Sequence, residues 1–173
     1  SNIWVSFCAA MFSLGFSEAL GLSNIAPFVF FTTLFVYSGQ RYYKLNFING
    51  LIDTPRIDWM KENKKRVESI LAAALIGVIF YGLPLLLATT FNTVLISICA
   101  LISIFYVVKI GKQSLREVPG LKVFLITVVY FIIVCLLPFQ AMSSVEHTFR
   151  PFWPYLLLFF FQYLYIFGIT VLF

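Results

Sequence analysis

Charged residues are scarce in this sequence. Only 11% of its 173 residues are Asp, Glu, Lys or Arg, while 61% are hydrophobic and 19% are aromatic. A soluble domain carries roughly 25% charged residues, so this chain has too little charge to cover a surface that faces water. The composition argues against a soluble globular domain and predicts that lipid surrounds most of the protein.

Segments of alternating polarity are also missing. A transmembrane β-barrel is built from alternating segments of about ten residues, whereas the apolar stretches here are continuous and long enough to cross a bilayer as helices. They predict an all-α fold, a multi-pass transmembrane bundle of about six helices in three hairpins, with residues 1–173 in one domain. The predicted spans are residues 3–22, 25–43, 67–88, 92–110, 121–139 and 151–173.

Cysteine and histidine are too few and too scattered for a metal cluster. Cys8, Cys99 and Cys135 each lie inside an apolar stretch without a close partner, which predicts packing residues and excludes a disulfide framework. His147 is the only histidine and is predicted to lie in an external loop. Apart from Glu68 at the very start of the third span, Glu18 is the only acid inside a predicted span. It is either a functional intramembrane carboxylate or a side chain that reaches the headgroup region.

The ends of the sequence give two expectations. The first apolar stretch has neither a basic region before it nor a small-residue cleavage site, so we expect a retained helix and not a signal peptide. The sequence begins without Met and ends in an apolar stretch. We therefore expect a processed, tagged or trimmed start and more protein after Phe173, which would make this chain the N-terminal part of a longer bundle.

The basic residues are concentrated in two connections. Residues 37–68 hold seven of the twelve Lys and Arg residues and residues 109–122 hold four. Lys and Arg in short loops mark the cytoplasmic side, so both connections, the N-terminus and the end of the last span are predicted to be cytoplasmic, at the inner membrane if the source is bacterial. The loops around Ser23, Thr90 and His147 are then external.

Part of the first basic connection can form a helix. Thr54 and Pro55 suit the N-cap and first position of a helix. Ile57, Met60 and Trp59 would then lie on the membrane, while Arg56, Lys61, Lys64 and Lys65 face water or lipid phosphates. The alternative is a solvated loop that only obeys the positive-inside rule.

Small residues indicate which helix faces pack together, because helices in lipid approach each other closely through small side chains. Such residues recur at every fourth position in two predicted spans. The predicted contact faces are Ala9, Ser13, Ser17 and Gly21 in the first span, and Ser69, Ala73 and Gly77 in the third.

The two basic connections share one predicted membrane face and can together hold an anion such as a diphosphate, although anionic lipid headgroups would satisfy the same charges. The first connection begins YSGQRYYKL at residues 37–45. After the fourth span the order is Tyr106, Lys109, Lys112, Arg116 and Pro119. This layout resembles the N-terminal two thirds of the UbiA superfamily of intramembrane prenyltransferases.

The resemblance implies a specific site. In that family an aspartate-rich motif at the end of the second helix holds Mg²⁺ and a prenyl diphosphate, a second aspartate motif follows the sixth helix, and Lys and Arg after the fourth helix contact the diphosphate. Carried onto this chain, the resemblance implies a diphosphate clamp of Ser38, Gln40, Arg41, Lys44, Tyr106, Lys109, Lys112 and Arg116.

The sequence departs from the family where the metal is held. Residues 37–45 contain no carboxylate, whereas Mg²⁺ usually requires one or two of them beside the substrate phosphates. No cofactor is therefore expected, unless residues after Phe173 supply carboxylates for Mg²⁺. Catalysis as a prenyltransferase stays open, and no catalytic residue is assigned.

Three functions remain compatible with the sequence. The chain is a divergent UbiA-like protein that binds an isoprenoid diphosphate or another lipid diphosphate, a non-enzymatic subunit or scaffold of a larger membrane complex, or a small transporter subunit. The expected partners are the bilayer, an isoprenoid diphosphate and a membrane protein, with no nucleic acid. The acceptor of a prenyl group cannot be predicted.

Overall fold

Helices make up nearly all of the described structure. A computed structural model of the chain describes residues 2–21, 23–47, 55–107, 109–110, 113–114, 121–140 and 153–172. The all-α fold class is confirmed, with one short β-hairpin. The helices are α1 (Asn2–Leu20), α2 (Ala26–Phe47), α3 (Pro55–Glu62), α4 (Lys64–Ala88), α5 (Thr90–Val107), α6 (Leu121–Phe131), α7 (Leu137–Gln140) and α8 (Trp153–Leu172), and the strands are β1 (Lys109–Ile110) and β2 (Gln113–Ser114).

Two helices extend beyond the apolar stretches that predicted them. The second span was expected to end at residue 43, but α2 continues to Phe47; the third was expected to begin at residue 67, but α4 begins at Lys64. Hydropathy marks only the part of a helix that suits hydrocarbon, whereas Lys, Arg and Glu are good helix formers in water or among headgroups. The polar turns at both helix ends are therefore helical.

The fourth predicted span was wrong at its end. It was expected to reach residue 110, but α5 ends at Val107 and the next described residues form β1. Lys109 pairs with Ser114 and Ile110 with Gln113 in an antiparallel register. Val and Ile favour extended backbone, and the glycine at position 111 is a common turn residue, so the local sequence supports a hairpin better than a continued helix.

The fifth predicted span contains a widened turn. A π-helical segment, Ile132–Leu136, separates α6 from α7, and the N–H of Leu137 donates to the carbonyl of Ile132, five residues earlier. Pro138 follows directly. A proline has no N–H, and in a regular helix its ring crowds the carbonyl four residues before it, so a wider turn here accommodates Pro138.

Of the two alternatives for the first basic connection, a helix and a solvated loop, the structure shows the helix, from Pro55 to Glu62. Thr54, its predicted N-cap, lies outside the described residues. Trp59 is exposed, but Met60 is buried in the protein, so the prediction that Met60 lies on the membrane was wrong. One side of α3 packs on the protein, which a short sequence with few apolar residues does not reveal.

The chain divides into two compact units. Unit 1 comprises Ser1–Leu14 and Ala26–Pro84, and unit 2 comprises Gly15–Ile25 and Leu85–Phe173. Both α1 and α4 contribute residues to each unit. The single domain over residues 1–173 stays a prediction.

In unit 1, α2 and α4 pack in an antiparallel arrangement that we call the α2–α4 pairing. Contacts that lie earlier in α2 are made with residues that lie later in α4, by about the same number of positions. The contacting pairs are Tyr42 with Glu68, Gly39 with Leu71, Phe31 with Gly77, and Phe28 with Gly82. Helices rise about 1.5 Å per residue, so the pairing extends over about 21 Å and holds the polar end of α2 in place.

The predicted small-residue faces are only partly correct. Ser13 and Ser17 of α1 and Gly77 of α4 are buried. Ser69 and Ala73 are exposed, however, and the buried residues of α4 are Val67, Ala74, Gly77 and Gly82. A spacing of four residues drifts around a helix that has 3.6 residues per turn, and the buried residues of α4 are instead separated by seven, three and five residues.

The core of unit 2 contains one side of α5 and the contact between α6 and α8. Buried α5 residues recur as Asn92, Leu95, Cys99 and Tyr106. The ring of Phe131 on α6 meets that of Phe160 on α8 edge to face, with centroids 5.4 Å apart. Leu156 and Tyr163 are the inward positions of α8, a face that its uniformly aromatic sequence does not indicate.

Side chains from α5 complete the end of α4. Thr89 is the N-cap of α5, because its Oγ1 accepts from the N–H of Asn92 at 3.1 Å. The Asn92 side-chain amide donates to the Leu85 carbonyl at 3.3 Å, and the Thr93 hydroxyl donates to the Leu86 carbonyl at 2.8 Å. The last carbonyls of a helix have no partner within it, so these bonds stabilise the tight turn between α4 and α5.

Among the described residues, one helix is long and apolar enough to cross a membrane. It is α4, Lys64–Ala88, and only 17% of its most apolar window is buried within the protein. Shorter apolar stretches occur at Thr90–Tyr106, Val123–Leu136 and Leu156–Tyr165. The coarse prediction of a membrane-compatible helical protein therefore has support in one helix.

Candidate functional site at the polar end of α2

Four predicted clamp residues lie in the last turns of α2, within unit 1. Ser38 is buried, and Gln40 and Arg41 are half-buried. Lys44 belongs to the same helix, but its side chain lies outside the described part of the structure. The helix thus carries its hydroxyl, amide and guanidinium groups at the end that was predicted to be cytoplasmic.

Ser38 joins α2 to α1. The Asn2 side-chain amide donates to Ser38 Oγ at 3.1 Å, and the Ser6 hydroxyl donates to the Asn2 carbonyl at 2.9 Å. The Oδ1 atom of Asn2 is buried and has no hydrogen-bond partner. Ser38 therefore has a structural contact that sequence reasoning did not foresee, and a buried acceptor lies beside it.

A second polar contact joins α2 to α4. The Tyr42 hydroxyl donates to Glu68 Oε1 at 2.7 Å, and the Lys64 ammonium lies 5.9 Å from the centre of the Tyr42 ring. An ammonium over an aromatic face at this distance is weakly attracted to it. Sequence reasoning missed Glu68 as part of this cluster, although the antiparallel order of α2 and α4 around one connection could have indicated it.

The described residues at the polar end of α2 do not form a cluster of carboxylates like the Mg²⁺ site that the family resemblance implies. Glu68 is a single carboxylate, and its Oε1 accepts the Tyr42 hydroxyl. Within the described ranges, no group of three or more His, Cys, Asp or Glu residues is close enough to hold a metal ion. Beside the neutral oxygens of Ser38 and Gln40, Glu68 supplies one carboxylate, whereas such a site usually has one or two in addition to the substrate phosphates. The expectation that no cofactor is bound therefore stays a prediction.

The remaining clamp residues lie at the end of α5 or after it, in the part of the chain that belongs to unit 2. Tyr106 is buried and continues the inward face of α5, so its ring contributes to the core of that unit. Lys109 lies in β1, where it pairs with Ser114 through the backbone. Lys112 and Arg116 lie outside the described residues. The β-hairpin, which was not predicted, changes the backbone that carries Lys109.

The other residues considered for chemistry are Glu18, His147 and the three cysteines. Glu18 is exposed near the end of α1, as the headgroup alternative predicts. His147 lies outside the described residues. All three cysteines are free; Cys99 and Cys135 are buried, whereas Cys8 is exposed, so the packing prediction is wrong for Cys8.

Resemblance to the UbiA superfamily rests on the sequence motifs alone. The chain matches no protein-family model, no curated protein and no solved structure in comparisons with all three. Membership of that family, and the diphosphate clamp that depends on it, therefore stay predictions.

Proposed function

We propose that this chain is a multi-pass integral membrane protein that binds a lipid diphosphate at its cytoplasmic face. One observation carries the membrane part of the proposal: only 17% of the most apolar window of α4 is buried within the protein. The core helix of a soluble protein would bury most of such a window. Leaving it in water would be unfavourable by about 25 cal/mol per Å² of apolar surface, so lipid is the solvent that suits α4.

Exposed apolar side chains on other helices support more than one crossing. Leu101 and Ile104 of α5 and Leu158 and Phe161 of α8 are each more than half exposed. The apolar stretches of these helices are Thr90–Tyr106 and Leu156–Tyr165. The complete helices α5 and α8 have 18 and 20 residues and measure about 27 and 30 Å at about 1.5 Å per residue, close to the hydrocarbon thickness of about 30 Å. The distribution of Lys and Arg supports cytoplasmic placement of both basic connections.

The charge of those connections supports an anionic ligand. Gln40 and Arg41 are half-buried at the polar end of α2, and a partly buried guanidinium binds phosphate more strongly than a fully solvated one. Lys112 and Arg116 add charge from the second connection. Because residues 37–45 contain no carboxylate and the described residues hold no group of three or more metal-ligating side chains, we propose binding by cations and leave transfer of a prenyl group outside the proposal.

The binding proposal is tested with the full chain in lipid nanodiscs and a fluorescent isoprenoid diphosphate. Arg41→Ala and Arg116→Ala are each expected to weaken binding roughly tenfold, as expected for loss of a charged hydrogen bond. Lys122→Ala removes a comparable charge from outside the clamp and serves as the matched control. Equal affinities for the clamp variants, the control and the unmodified chain would contradict the proposal.

The topology is tested separately by cysteine labelling. In a chain without its three native cysteines, a new cysteine at position 23 should react with an impermeant maleimide from outside the cell. A cysteine at position 112 should react only after the membrane is opened. Labelling of both positions from the same side would contradict the proposed crossings between them.

The alternative is a non-enzymatic subunit or scaffold of a membrane complex. The same exposed apolar side chains on α5 and α8 can face a partner helix instead of lipid. Purification in a mild detergent distinguishes the two functions, because a stoichiometric membrane partner together with no diphosphate binding would favour the scaffold.

A further inference from the structure

The junction between α3 and α4 combines exposed cations with an exposed tryptophan. Trp59 is 48% exposed, and the side chains of Lys61, Lys64, Lys65 and Arg66 are also exposed. Residues 59–66 are here called the anchor segment. It contains four cations and one acid, Glu62, so its outward surface is positive.

Hydrogen bonds hold the anchor segment in one orientation. The backbone N–H and the side-chain amide of Asn63 both donate to the Trp59 carbonyl at 3.0 Å, and the Asn63 carbonyl accepts from the Val67 N–H at 3.1 Å. Met60 and Val67 are buried in unit 1. Because these two side chains are fixed inward, Trp59 and the cations lie on the outward side of an ordered backbone.

The length of α4 sets the depth of the anchor segment in a bilayer. Residues 70–88 contain no charged side chain. As a helix they measure about 28 Å, close to the hydrocarbon thickness of about 30 Å. With α4 across the membrane, the anchor segment lies at the headgroups on the cytoplasmic side. This step depends on the proposed membrane location and not on the diphosphate clamp.

We propose that the anchor segment binds the cytoplasmic surface of a bilayer that contains anionic phospholipids. Clustered cations next to a membrane-spanning helix attract anionic headgroups, and tryptophan is enriched at the boundary between hydrocarbon and water. Lys61 lies 3.8 Å from Asp58, with both side chains about half exposed. Such surface pairs are weak, so Lys61 still contributes to the positive surface.

Fluorescence of Trp59 tests the proposal in the full chain. Trp4→Phe and Trp153→Phe leave Trp59 as the only tryptophan. The protein is reconstituted in phosphatidylcholine vesicles with or without phosphatidylglycerol, using lipids brominated either near the headgroup or deep in the acyl chain. Shallow bromine is expected to quench Trp59 more strongly than deep bromine, and phosphatidylglycerol is expected to increase that quenching and shift the emission to shorter wavelength.

Charge variants and salt test whether the cations of the anchor segment cause the response of Trp59 to phosphatidylglycerol. Lys61→Glu combined with Lys65→Glu should remove the response to phosphatidylglycerol, since each lysine changes the affinity for an anionic surface roughly fivefold. Lys122→Glu, a charge reversal outside the anchor segment, should leave it unchanged. High salt should weaken the response to phosphatidylglycerol in the parent protein, in which Trp59 is the only tryptophan. This check does not depend on the folding of a charge variant.

Two results overturn the proposal. In the first, the quenching and the emission wavelength of Trp59 do not depend on lipid charge. In the second, the emission of Trp59 shifts to shorter wavelength only when an acidic protein is added. Diphosphate binding by the Lys61→Glu, Lys65→Glu protein separates this proposal from the clamp. If this variant still binds diphosphate but no longer responds to phosphatidylglycerol, the result supports the proposed role of the anchor segment. A normal lipid response in a protein that binds no diphosphate supports it as well, and contradicts only the clamp.

Discussion

The hydroxyl of Tyr42 donates to Glu68 Oε1 at 2.7 Å and joins the end of α2 to the start of α4. This bond ends the α2–α4 pairing at its polar side, whereas Phe28 and Gly82 end it at the apolar side. The hydrogen bond is solvent-exposed, so its contribution to stability is smaller than that of a buried charged bond.

Tyr42→Phe is expected to lower the free energy of unfolding by about 0.5–1 kcal/mol. The variant keeps the aromatic ring below the Lys64 ammonium and removes only the donor. Thermal unfolding in detergent, followed by circular dichroism, measures the change. Tyr81→Phe is the matched control, because the stacking of the Tyr81 ring on Phe31 does not involve its hydroxyl. An equal loss in both variants would show that the Tyr42 bond contributes nothing specific.

Gly77→Ala is expected to destabilise the protein by about 1–3 kcal/mol, the usual range for overpacking. A Cβ at position 77 would overlap the Phe31 ring. At Gly15 a Cβ would meet no heavy atom within 4 Å, so Gly15→Ala should be neutral or stabilising, by up to about 1 kcal/mol, through helix propensity. The melting temperature should fall for Gly77→Ala and stay unchanged or rise for Gly15→Ala.

A smaller residue at position 31 tests the cause of the Gly77→Ala effect. Phe31→Leu should recover part of the stability that Gly77→Ala loses, because the overlapping ring is gone. If the double variant is as unstable as the sum of the two single changes predicts, the overlap is not the cause.

Thr89→Ala is expected to cost about 1 kcal/mol, as loss of a helix N-cap usually does. The N–H of Asn92 would lose its acceptor at the start of α5. Thr90→Ala removes a hydroxyl one residue later, where the side chain is exposed, and is the matched control. Chemical unfolding of both variants in the same detergent gives the comparison, and a larger effect at position 90 would contradict the assigned cap.

Removal of Mg²⁺ is expected to change isoprenoid diphosphate binding only slightly. The expectation follows from residues 37–45, which contain no carboxylate, and from the single carboxylate of Glu68 beside them. Titrations in the presence of MgCl₂ and of EDTA, at matched ionic strength, measure the effect. Strict dependence on Mg²⁺ would show that another part of the protein supplies metal ligands.

Sequence patterns were most reliable where a single physical property determines structure. Continuous hydropathy located the helices, and the Thr–Pro pair located the start of α3 at Pro55. Hydropathy could not locate the polar ends of α2 and α4, because the helical backbone continues into residues that prefer water. The β-strand at Lys109 was missed for a related reason: an apolar, β-branched stretch suits a buried helix and a strand equally well.

The candidate site was less predictable, since contacts between distant residues form it. The family resemblance at residues 37–45 implied that Ser38 contacts a diphosphate. In the structure, Ser38 Oγ accepts a hydrogen bond from the Asn2 side-chain amide. Glu68 had no motif to mark it, and its position beside Tyr42 depends on the packing of α2 against α4. Tyr106 shows the same limit, because the family resemblance implied a clamp residue at this position whereas its ring is buried in unit 2.

The α2–α4 pairing also restricts where the chain can change length. One residue inserted into α4 between Glu68 and Gly77 would rotate the rest of the helix by about 100°, given 3.6 residues per turn. Either the Tyr42 bond or the fit of Phe31 over position 77 would then be lost. Residues added between α2 and α3 would leave both contacts in register. Length variation is therefore expected in the connection between these helices and not within α4 itself.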